Sequence, residues 1–238
     1  SSAQSGVNVE EEGATKSKGR SINRSRHLVL LAMNQTGLNN IFKLISESYS
    51  EKYFYRKPRM DYNLLSKYSE GVIAMSACLG GVYAGCYWQN REEGSEAVLK
   101  SMREMTEDML FTFGDRWYPE VQWNAVPEQH ELNQYIIQTA QKHNVKLLST
   151  ADSHYPNPDA WKDRELYTRL GWLGKGGLPD YMESELPEGV EEVGYELYPK
   201  NGDQMWESYK KYSEKANVSY DDKLIKDSIT RTHDIAHN

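Results

Sequence analysis

Short apolar runs alternate with amphipathic stretches along the first two thirds of the chain. Runs at residues 27–33, 71–77 and 145–151 are rich in β-favouring residues, and each predicts a strand. The first of them, HLVLLAM, is apolar at successive positions, which predicts a strand buried on both faces. A fourth candidate, 116–123, contains Pro119, which cannot donate a ladder hydrogen bond.

Between these strands, apolar residues recur at helical spacing. Asp61 is placed to cap a short helix before the second strand, and Ser95 is placed to cap a longer one. Another helix is expected at 127–143, and two more, at about 203–216 and 221–236, end the chain. The apolar faces of the three helices that follow strands are Leu38, Ile41, Phe42 and Ile45; Val98, Met102, Met105 and Met109; and Leu132, Ile136 and Ala140.

This alternation of strands and helices predicts an α/β fold with parallel strands, either part of a barrel or part of an open sheet. Four segments follow from composition. Residues 1–26 are polar and charged, which indicates a flexible arm or loop, and 27–175 form the α/β domain. Residues 176–200 are rich in Gly, Pro and Glu, which indicates a linker, and 201–238 form a helical segment.

Composition narrows the class of protein. The 238 residues are 38% hydrophobic and 26% charged, which is typical of a globular chain with a real core. A net charge of −7 argues against a self-sufficient DNA-binding module, and less strongly against a piece of a larger assembly. No run is long enough to span a membrane, so no membrane partner is expected. Two cysteines are too few for a disulfide framework, which predicts a reducing cytoplasm.

The candidate catalytic and metal-ligating residues lie near the ends of the predicted strands. Asp152 and His154 follow the fourth strand, Cys78 follows the second, and His27 begins the first. In parallel α/β folds these ends carry the active sites, because the following loops converge there. Imidazole and thiolate suit zinc, and carboxylate also admits manganese or iron. The glycines of SACLGG (76–81) would let the backbone pass close to another group.

Each candidate also has an ordinary structural interpretation. A lone D-x-H is common, and an isolated cysteine is more often a small buried hydrophobe than a ligand. Cys86 has no second ligand motif nearby and is expected in the core. The 17 tyrosines and 6 tryptophans are expected to pack rather than stack on bases, since no basic groove is evident. Four histidines are predicted to be solvated on polar helix faces: His130, His143, His233 and His237.

Four stretches, in this order, resemble the polymerase and histidinol phosphatase (PHP) domain of replicative DNA polymerase III alpha subunits. They are HLVLLAMNQTGLNNIFKLIS, YSEGVIAMSACLGG, FGDRWYPEVQ and LLSTADSHY. ELYPKNGDQMWE and DSITRTHDIA are similar to the region where that domain meets the polymerase body, so the resemblance covers about residues 24–237. It implies part of a distorted (β/α)7 barrel with parallel strands, followed by a helical segment that leads to the polymerase body.

The resemblance also implies a metal cluster. His27 matches the histidine of the family's H-L-x-L-L-A stretch, and Cys78 matches the ligand position of S-x-C-L-G-G. Asp152 and His154 match T-N-D-x-H-Y, with Ala151 in place of the asparagine. These four would be metal ligands, for zinc or manganese, and Asp152 and His154 would also be catalytic. The family's H-x-H motif, a further Asp and His, and a strand ending in Glu or Asp do not precede His27, so the cluster in this chain would be incomplete.

The chain thus resembles the C-terminal part of a PHP domain, severed at a loop. The implied function is a segment of a DNA-directed DNA polymerase whose PHP site hydrolyses phosphodiesters as a 3′–5′ exonuclease, with DNA primer-template as partner. The missing motifs would come from other polymerase segments or a split N-terminal fragment, and the isolated chain is expected to be inactive. Two alternatives stay open: a non-catalytic module that docks a proofreading subunit, and a free-standing PHP-type phosphoesterase. The expected location is the cytoplasm of a bacterial or phage-infected cell, and both a split gene and release from an intein are compatible with a Ser1 start.

Overall fold

Strands and helices alternate as the hydrophobic pattern predicts. A computed structural model describes residues 25–174 and 196–237, so most of the predicted arm (1–26) and linker (176–200) lies outside the described residues. Before the chain's midpoint the elements are β1 (Val29–Ala32), α1 (Gln35–Ser48), α2 (Tyr62–Lys67), β2 (Val72–Met75), α3 (Val82–Asn90), α4 (Ser95–Phe113) and β3 (Trp117–Tyr118). After it come β4 (Glu120–Gln122), α5 (Pro127–His143), β5 (Leu148–Thr150), α6 (Trp161–Leu173), α7 (Gly202–Lys215) and α8 (Asp222–His237).

The strands form two small sheets rather than one. β1, β2 and β3 pair in that order, and β4 pairs with β5. β2 and β3 are parallel, as are β4 and β5, which confirms the α/β class with parallel strands. Pro119 separates β3 from β4, because the proline has no N–H to continue the ladder. The structure thus shows a mixed α/β fold, and a closed barrel is not seen in the described residues.

β1 departs from the prediction in its direction and its burial. It runs antiparallel to β2, since β1 ends beside Gly71, where β2 begins, and Met33 N–H donates to the Gly71 carbonyl oxygen at 2.9 Å. A run of apolar residues carries no information on strand direction. The prediction that β1 is buried on both faces is wrong: Val29 is 37% exposed and Leu31 is 41% exposed. β1 lies at the edge of its sheet, and no described residue covers that surface.

The helix α1 turns most of its predicted apolar face outward. Gly37 packs directly on the backbone of Gly71, so close that a Cβ on Gly37 would lie 1.8 Å from the Gly71 carbonyl oxygen. That contact places Gly37, Asn40 and Leu44 inward. As a result Leu38, Phe42 and Ile45 are exposed, together with Val29, Leu31 and Met33 of the β1 region. We refer to these six residues as the β1–α1 apolar surface.

The core forms where α3, α4 and α5 pack on the strands. The predicted inner faces of α4 and α5 are confirmed, with Val98, Met102 and Met109 fully buried. Cys86 is buried in α3, as expected, in a helix that the pattern did not predict. Asp61 caps α2 as predicted, accepting a hydrogen bond from Leu64 N–H at 2.8 Å. The predicted Ser95 cap is wrong, because Gly94 holds the cap position of α4 and Ser95 is the first helical residue.

The C-terminal helices cover the β4–β5 layer. α8 packs on β5, where Ser149 and Ser228 share a hydrogen bond of 2.7 Å between their hydroxyls. The Arg231 guanidinium donates to the Leu147 carbonyl oxygen at 2.6 Å. None of the helices that the structure describes is long and apolar enough to cross a membrane.

His130 corrects one prediction. It was expected to be solvated, but it is only 2% exposed, and burial lowers its pKa. Its Nε2–H donates to the Asn124 carbonyl oxygen at 2.9 Å, and its Nδ1 lies 3.0 Å from the Tyr220 hydroxyl. Trp123 and Tyr220 surround the ring. Tyr220, in the connection between α7 and α8, covers a residue of α5 that looks solvated in the sequence.

Candidate metal-ligand site at the strand ends

The turn after β2 presents Cys78 and is held by unusual backbone geometry. Ala77 adopts a left-handed conformation, with φ of +62°. Gly81 N–H donates to the Cys78 carbonyl oxygen at 2.7 Å. A Cβ on Gly81 would lie 2.0 Å from the Ser76 carbonyl oxygen, so this position accepts only glycine without moving the backbone. The expectation that these glycines allow a close approach is confirmed.

His27 lies directly beside this turn. Its backbone N–H donates to the Gly80 carbonyl oxygen at 2.9 Å, and a Cβ on Gly80 would lie 3.0 Å from the imidazole ring. The His27 Nδ1 and the Cys78 Sγ are 3.8 Å apart. Two ligands of a tetrahedral zinc ion would be separated by about 3.6 Å, given usual Zn–S and Zn–N bond lengths. The pair therefore fits two corners of a zinc site.

Asp152 reaches the same place from the end of β5. It is also left-handed, with φ of +48°, which turns the chain away directly after the strand. Burial raises the pKa of the Cys78 thiol, and the nearby negative charge of Asp152 raises it further. His27 therefore lies beside Cys78, and Asp152 is close enough to Cys78 for its charge to affect the thiol.

His154 lies on the outer side of this group. Its Nδ1–H donates to the Asp152 backbone carbonyl oxygen at 2.5 Å, and its Nδ1 lies 4.0 Å from the Asp152 carboxylate. Because Nδ1 is engaged, Nε2 is the nitrogen left for an outside ligand. His154 N–H donates to the Leu197 carbonyl oxygen at 2.7 Å, and the Tyr155 hydroxyl accepts from Leu197 N–H at 2.8 Å. Leu197, near the end of the predicted linker (176–200), thus anchors the D-x-H loop.

Glu120 joins the two halves of the site and was not among the predicted residues. Its side chain is inward-facing and the residue is only 5% exposed. One carboxylate oxygen accepts from Ala77 N–H, and the other accepts from the Thr150 hydroxyl at 2.9 Å. Burial raises the pKa of Glu120, as does the charge of Asp152. A polar pair at Glu120 and Gln122, two apart in a strand, was the available signal, because both side chains point to the same face.

The donor atoms of His27 and Cys78 are spaced for one divalent metal ion, but the described residues do not provide a complete set of ligands. Imidazole, thiolate and carboxylate together are the usual donors for zinc. Among residues 25–174 and 196–237, however, no three His, Cys, Asp or Glu side chains are close enough to share one ion. His27 and Cys78 are the best-placed pair, with Asp152 near Cys78. Structural zinc sites use four ligands, so this arrangement is one side of a site.

Glu196, next to Leu197, is held to α7 by an ion pair and a hydrogen bond. These contacts predict that the stability of the chain is sensitive to acid. Burial alone would raise the pKa of Glu196, but hydrogen bonds from Lys211 and Ser208 outweigh it and lower the pKa to about 2. The Ser208 hydroxyl donates to the Glu196 carboxylate at 2.6 Å, and Lys211 Nζ lies 2.5 Å from it.

We expect the ionised Glu196 carboxylate to stabilise the fold fully above pH 4.5, the ordinary pKa of a glutamate side chain. This stabilisation should be lost as the pH falls from 4.5 toward about 2. Because the pair is partly solvated, the loss should be about 1–2 kcal/mol. Urea unfolding across this pH range should show that the free energy of unfolding of Glu196→Gln falls less steeply with decreasing pH than that of the unmodified chain. Glu214→Gln, at an exposed position on α7, should leave the fall in stability at low pH unchanged. If the free energy of unfolding falls equally with decreasing pH in Glu196→Gln and in the unmodified chain, Glu196 is not the source of the acid sensitivity.

Comparison with known proteins assigns this chain to a family. The chain belongs to the PHP-domain family, whose sequence model matches residues 5–124, or 120 of the 238 residues. His27, Cys78 and Glu120 lie inside the matched range, and Asp152 and His154 lie beyond it. The family recognised from the sequence motifs is therefore confirmed.

The chain is homologous to part of the alpha subunit of DNA polymerase III. Similar proteins include the DNA polymerase III subunit alpha of Aquifex aeolicus, 41% identical over 146 residues, which are 61% of this chain and 12% of that protein. The subunit of Borreliella burgdorferi is 31% identical over 185 residues, 78% of this chain and 15% of that protein. That of Deinococcus radiodurans is 37% identical over 179 residues, 75% and 12% respectively. The matched region thus spans less than a sixth of each of these relatives.

Proposed function

We propose that this chain is a segment of a replicative DNA polymerase and supplies one side of a PHP-type site for metal-dependent 3′–5′ exonuclease hydrolysis. The observation that carries the proposal is the meeting of His27, Cys78 and Asp152 at the strand ends, in a chain whose relatives are named DNA polymerase III subunit alpha. The partners would be a DNA primer-template and the polymerase segments that carry the remaining ligands. A bacterial or phage-infected cytoplasm is the proposed location.

The residues of this chain would have separate roles. A bound zinc or manganese ion would supply a hydroxide nucleophile and neutralise phosphate charge. His27 and Cys78 would hold the metal, since their donor atoms are spaced for adjacent ligand positions. Asp152 would be a third ligand from this chain and would accept a proton from attacking water. His154, fixed by its Nδ1 hydrogen bond, would direct Nε2 toward the metal or the phosphate.

A second function rests on a different observation. The β1–α1 apolar surface and the absence of a three-donor group among the described residues both suit a module that serves as a structural base. In that case the chain would dock other polymerase segments or a proofreading subunit without catalysis. Metal content separates the two functions, because only the first requires an occupied site.

The test is complementation. The 238-residue chain alone should show little or no hydrolysis of a mispaired primer end, because hydrolysis needs a complete ligand set. Adding a fragment of a relative that carries the H-x-H, Asp, His and Glu motifs should produce bound metal, measured by mass spectrometry, and primer-end hydrolysis. Asp152→Asn and Cys78→Ala should each reduce metal content and hydrolysis at least about tenfold. His233→Gln, exposed on α8, is the matched control and should change neither.

Two results would contradict the proposal. Metal-free, inactive complexes that nonetheless assemble would favour the structural module. Strong manganese-dependent hydrolysis by the chain alone would show that it already holds a complete site.

A further inference from the structure

A surface segment that runs from the end of α1 to the first residue of α2 combines exposed aromatic rings with positive charge. We call residues 49–62 the basic-aromatic segment. Tyr49 and Tyr55 are each 61% exposed, although large aromatic side chains are usually buried. The exposed rings of the segment are Tyr49, Phe54, Tyr55 and Tyr62.

Positive charge is concentrated in the same place. Lys52, Arg56, Lys57 and Arg59 lie within eight consecutive residues that contain no acidic side chain, in a chain of net charge −7. All four side chains are exposed. Among the residues that the structure describes, none of the four forms a salt bridge with a carboxylate. These cations are therefore available to an anionic partner.

The rings and the cations are arranged together rather than scattered. The guanidinium groups of Arg56 and Arg59 lie 5.5 Å and 5.3 Å from the centre of the Tyr55 ring. The Tyr49 and Phe54 rings stack with centres 5.9 Å apart and planes 23° apart.

The backbone of the segment is held in a defined turn. Tyr55 N–H donates to the Lys57 carbonyl oxygen at 3.1 Å, and Arg56 adopts a left-handed conformation with φ of +61°. The Asp61 cap on α2 fixes the end of the turn. A preorganised turn loses less entropy when a ligand binds.

We propose that the basic-aromatic segment binds single-stranded nucleic acid. Cations that neutralise phosphates and exposed rings on which bases stack are the two features that such sites combine. Duplex DNA would use only the cations, because its bases are already stacked on one another. The inference goes beyond the proposed function and uses none of the metal-ligand candidates, so either can fail without the other. It also revises the expectation that the aromatic residues only pack.

The experiment measures fluorescence anisotropy of a short labelled oligothymidylate with the full 238-residue chain at several salt concentrations. Three variants are compared. The cation variant is Arg56→Asn, Lys57→Gln and Arg59→Gln, with asparagine chosen because it tolerates the left-handed conformation. The ring variant is Phe54→Ala with Tyr55→Ala. The control variant removes three exposed cations of α7 and α8: Lys215→Gln, Lys223→Gln and Lys226→Gln.

The variants should separate the two contributions. The slope of log affinity against log salt should fall by about 2 in magnitude in the cation variant, since each phosphate contact on a single strand contributes about 0.7. Each lost stacking ring should weaken binding at least about fivefold, so the ring variant should bind at least about 25-fold more weakly than the unmodified chain. Its salt slope should be unchanged. The control variant should match the unmodified chain, and a duplex of the same length should be insensitive to the ring variant.

Several results would overturn the inference. No measurable binding by the unmodified chain would do so, as would equal weakening in the control variant, which would indicate non-specific charge. Segment-dependent binding of polyglutamate as tight as that of oligothymidylate would instead assign the surface to an acidic protein partner. Circular dichroism of each variant should match the unmodified chain, and a variant that fails this check is replaced by its single substitutions.

Discussion

Replacing Gly81 with alanine will destabilise the chain by about 3 kcal/mol or more, within the upper range for overpacked positions. The added Cβ would lie 2.0 Å from the Ser76 carbonyl oxygen and 2.9 Å from that of Cys78. Both neighbours are backbone atoms of the turn after β2, so no side chain can rotate away. The turn itself would have to move, breaking the hydrogen bond from Gly81 N–H to the Cys78 carbonyl oxygen. Chemical denaturation of the full chain measures the loss.

A matched substitution isolates the steric cause. Gly171 lies in α6, and a Cβ added there would meet no described atom within 4 Å, so Gly171→Ala should be neutral or stabilise the helix by about 0.5–1 kcal/mol. Similar losses in the two variants would show that glycine flexibility, rather than the contact with Ser76, determines the effect. A Gly81→Ala variant as stable as the unmodified chain would mean that the Cys78 turn is not held as described.

Glu120→Ala should destabilise the chain by about 2–3 kcal/mol, because it removes the acceptor for two groups at once. The Ala77 N–H and the Thr150 hydroxyl both donate to the Glu120 carboxylate. Ala77 is left-handed, and this hydrogen bond helps to hold it there. Hydrogen exchange should therefore accelerate most at the Ala77 amide, since that amide loses its only described partner. Urea unfolding provides the stability change.

Glu120→Gln provides the comparison. Its amide oxygen can still accept from Ala77 N–H, and the Thr150 hydroxyl can rotate to accept from the new amide nitrogen, so the loss should stay below about 1 kcal/mol. Slow exchange at Ala77 should be retained. If Gln and Ala cost the same, the carboxylate charge rather than the hydrogen-bond bridge would be the stabilising feature. Fast exchange at distant core amides in Glu120→Ala would indicate global unfolding instead of a local bridge.

Predictions from the sequence were correct where interactions between residues close in the chain determine the structure. The bounds of α5 were predicted correctly because proline starts a helix and the apolar spacing of Leu132, Ile136 and Ala140 continues through it. The Asp61 cap is equally local, since a side chain reaches a backbone N–H three residues away. The four candidate ligands could be named because they occupy recognisable motifs. Their roles remain predictions, which the metal-content experiment addresses.

The failures share a physical cause, which is that burial depends on neighbours distant in sequence. β1 is as apolar as a central strand, yet it lies at an edge and runs antiparallel. His130 looks solvated in the sequence, but Tyr220 from the α7–α8 connection covers it. Glu120 looks like an ordinary strand carboxylate, and only the meeting of the β2 turn with β5 gives it two donors.

The sequence by itself thus determined the α/β class, the positions of most elements and the family, because these follow from periodicity, capping and motifs along the chain. Only the tertiary structure decided strand direction, the split into two sheets and the placement of the site. The 3.8 Å between His27 and Cys78 joins residues 51 positions apart, and such a distance is set by packing rather than by spacing. The basic-aromatic segment shows the same limit: its residues are visible in the sequence, but their exposure and freedom from described ion pairs are properties of the fold.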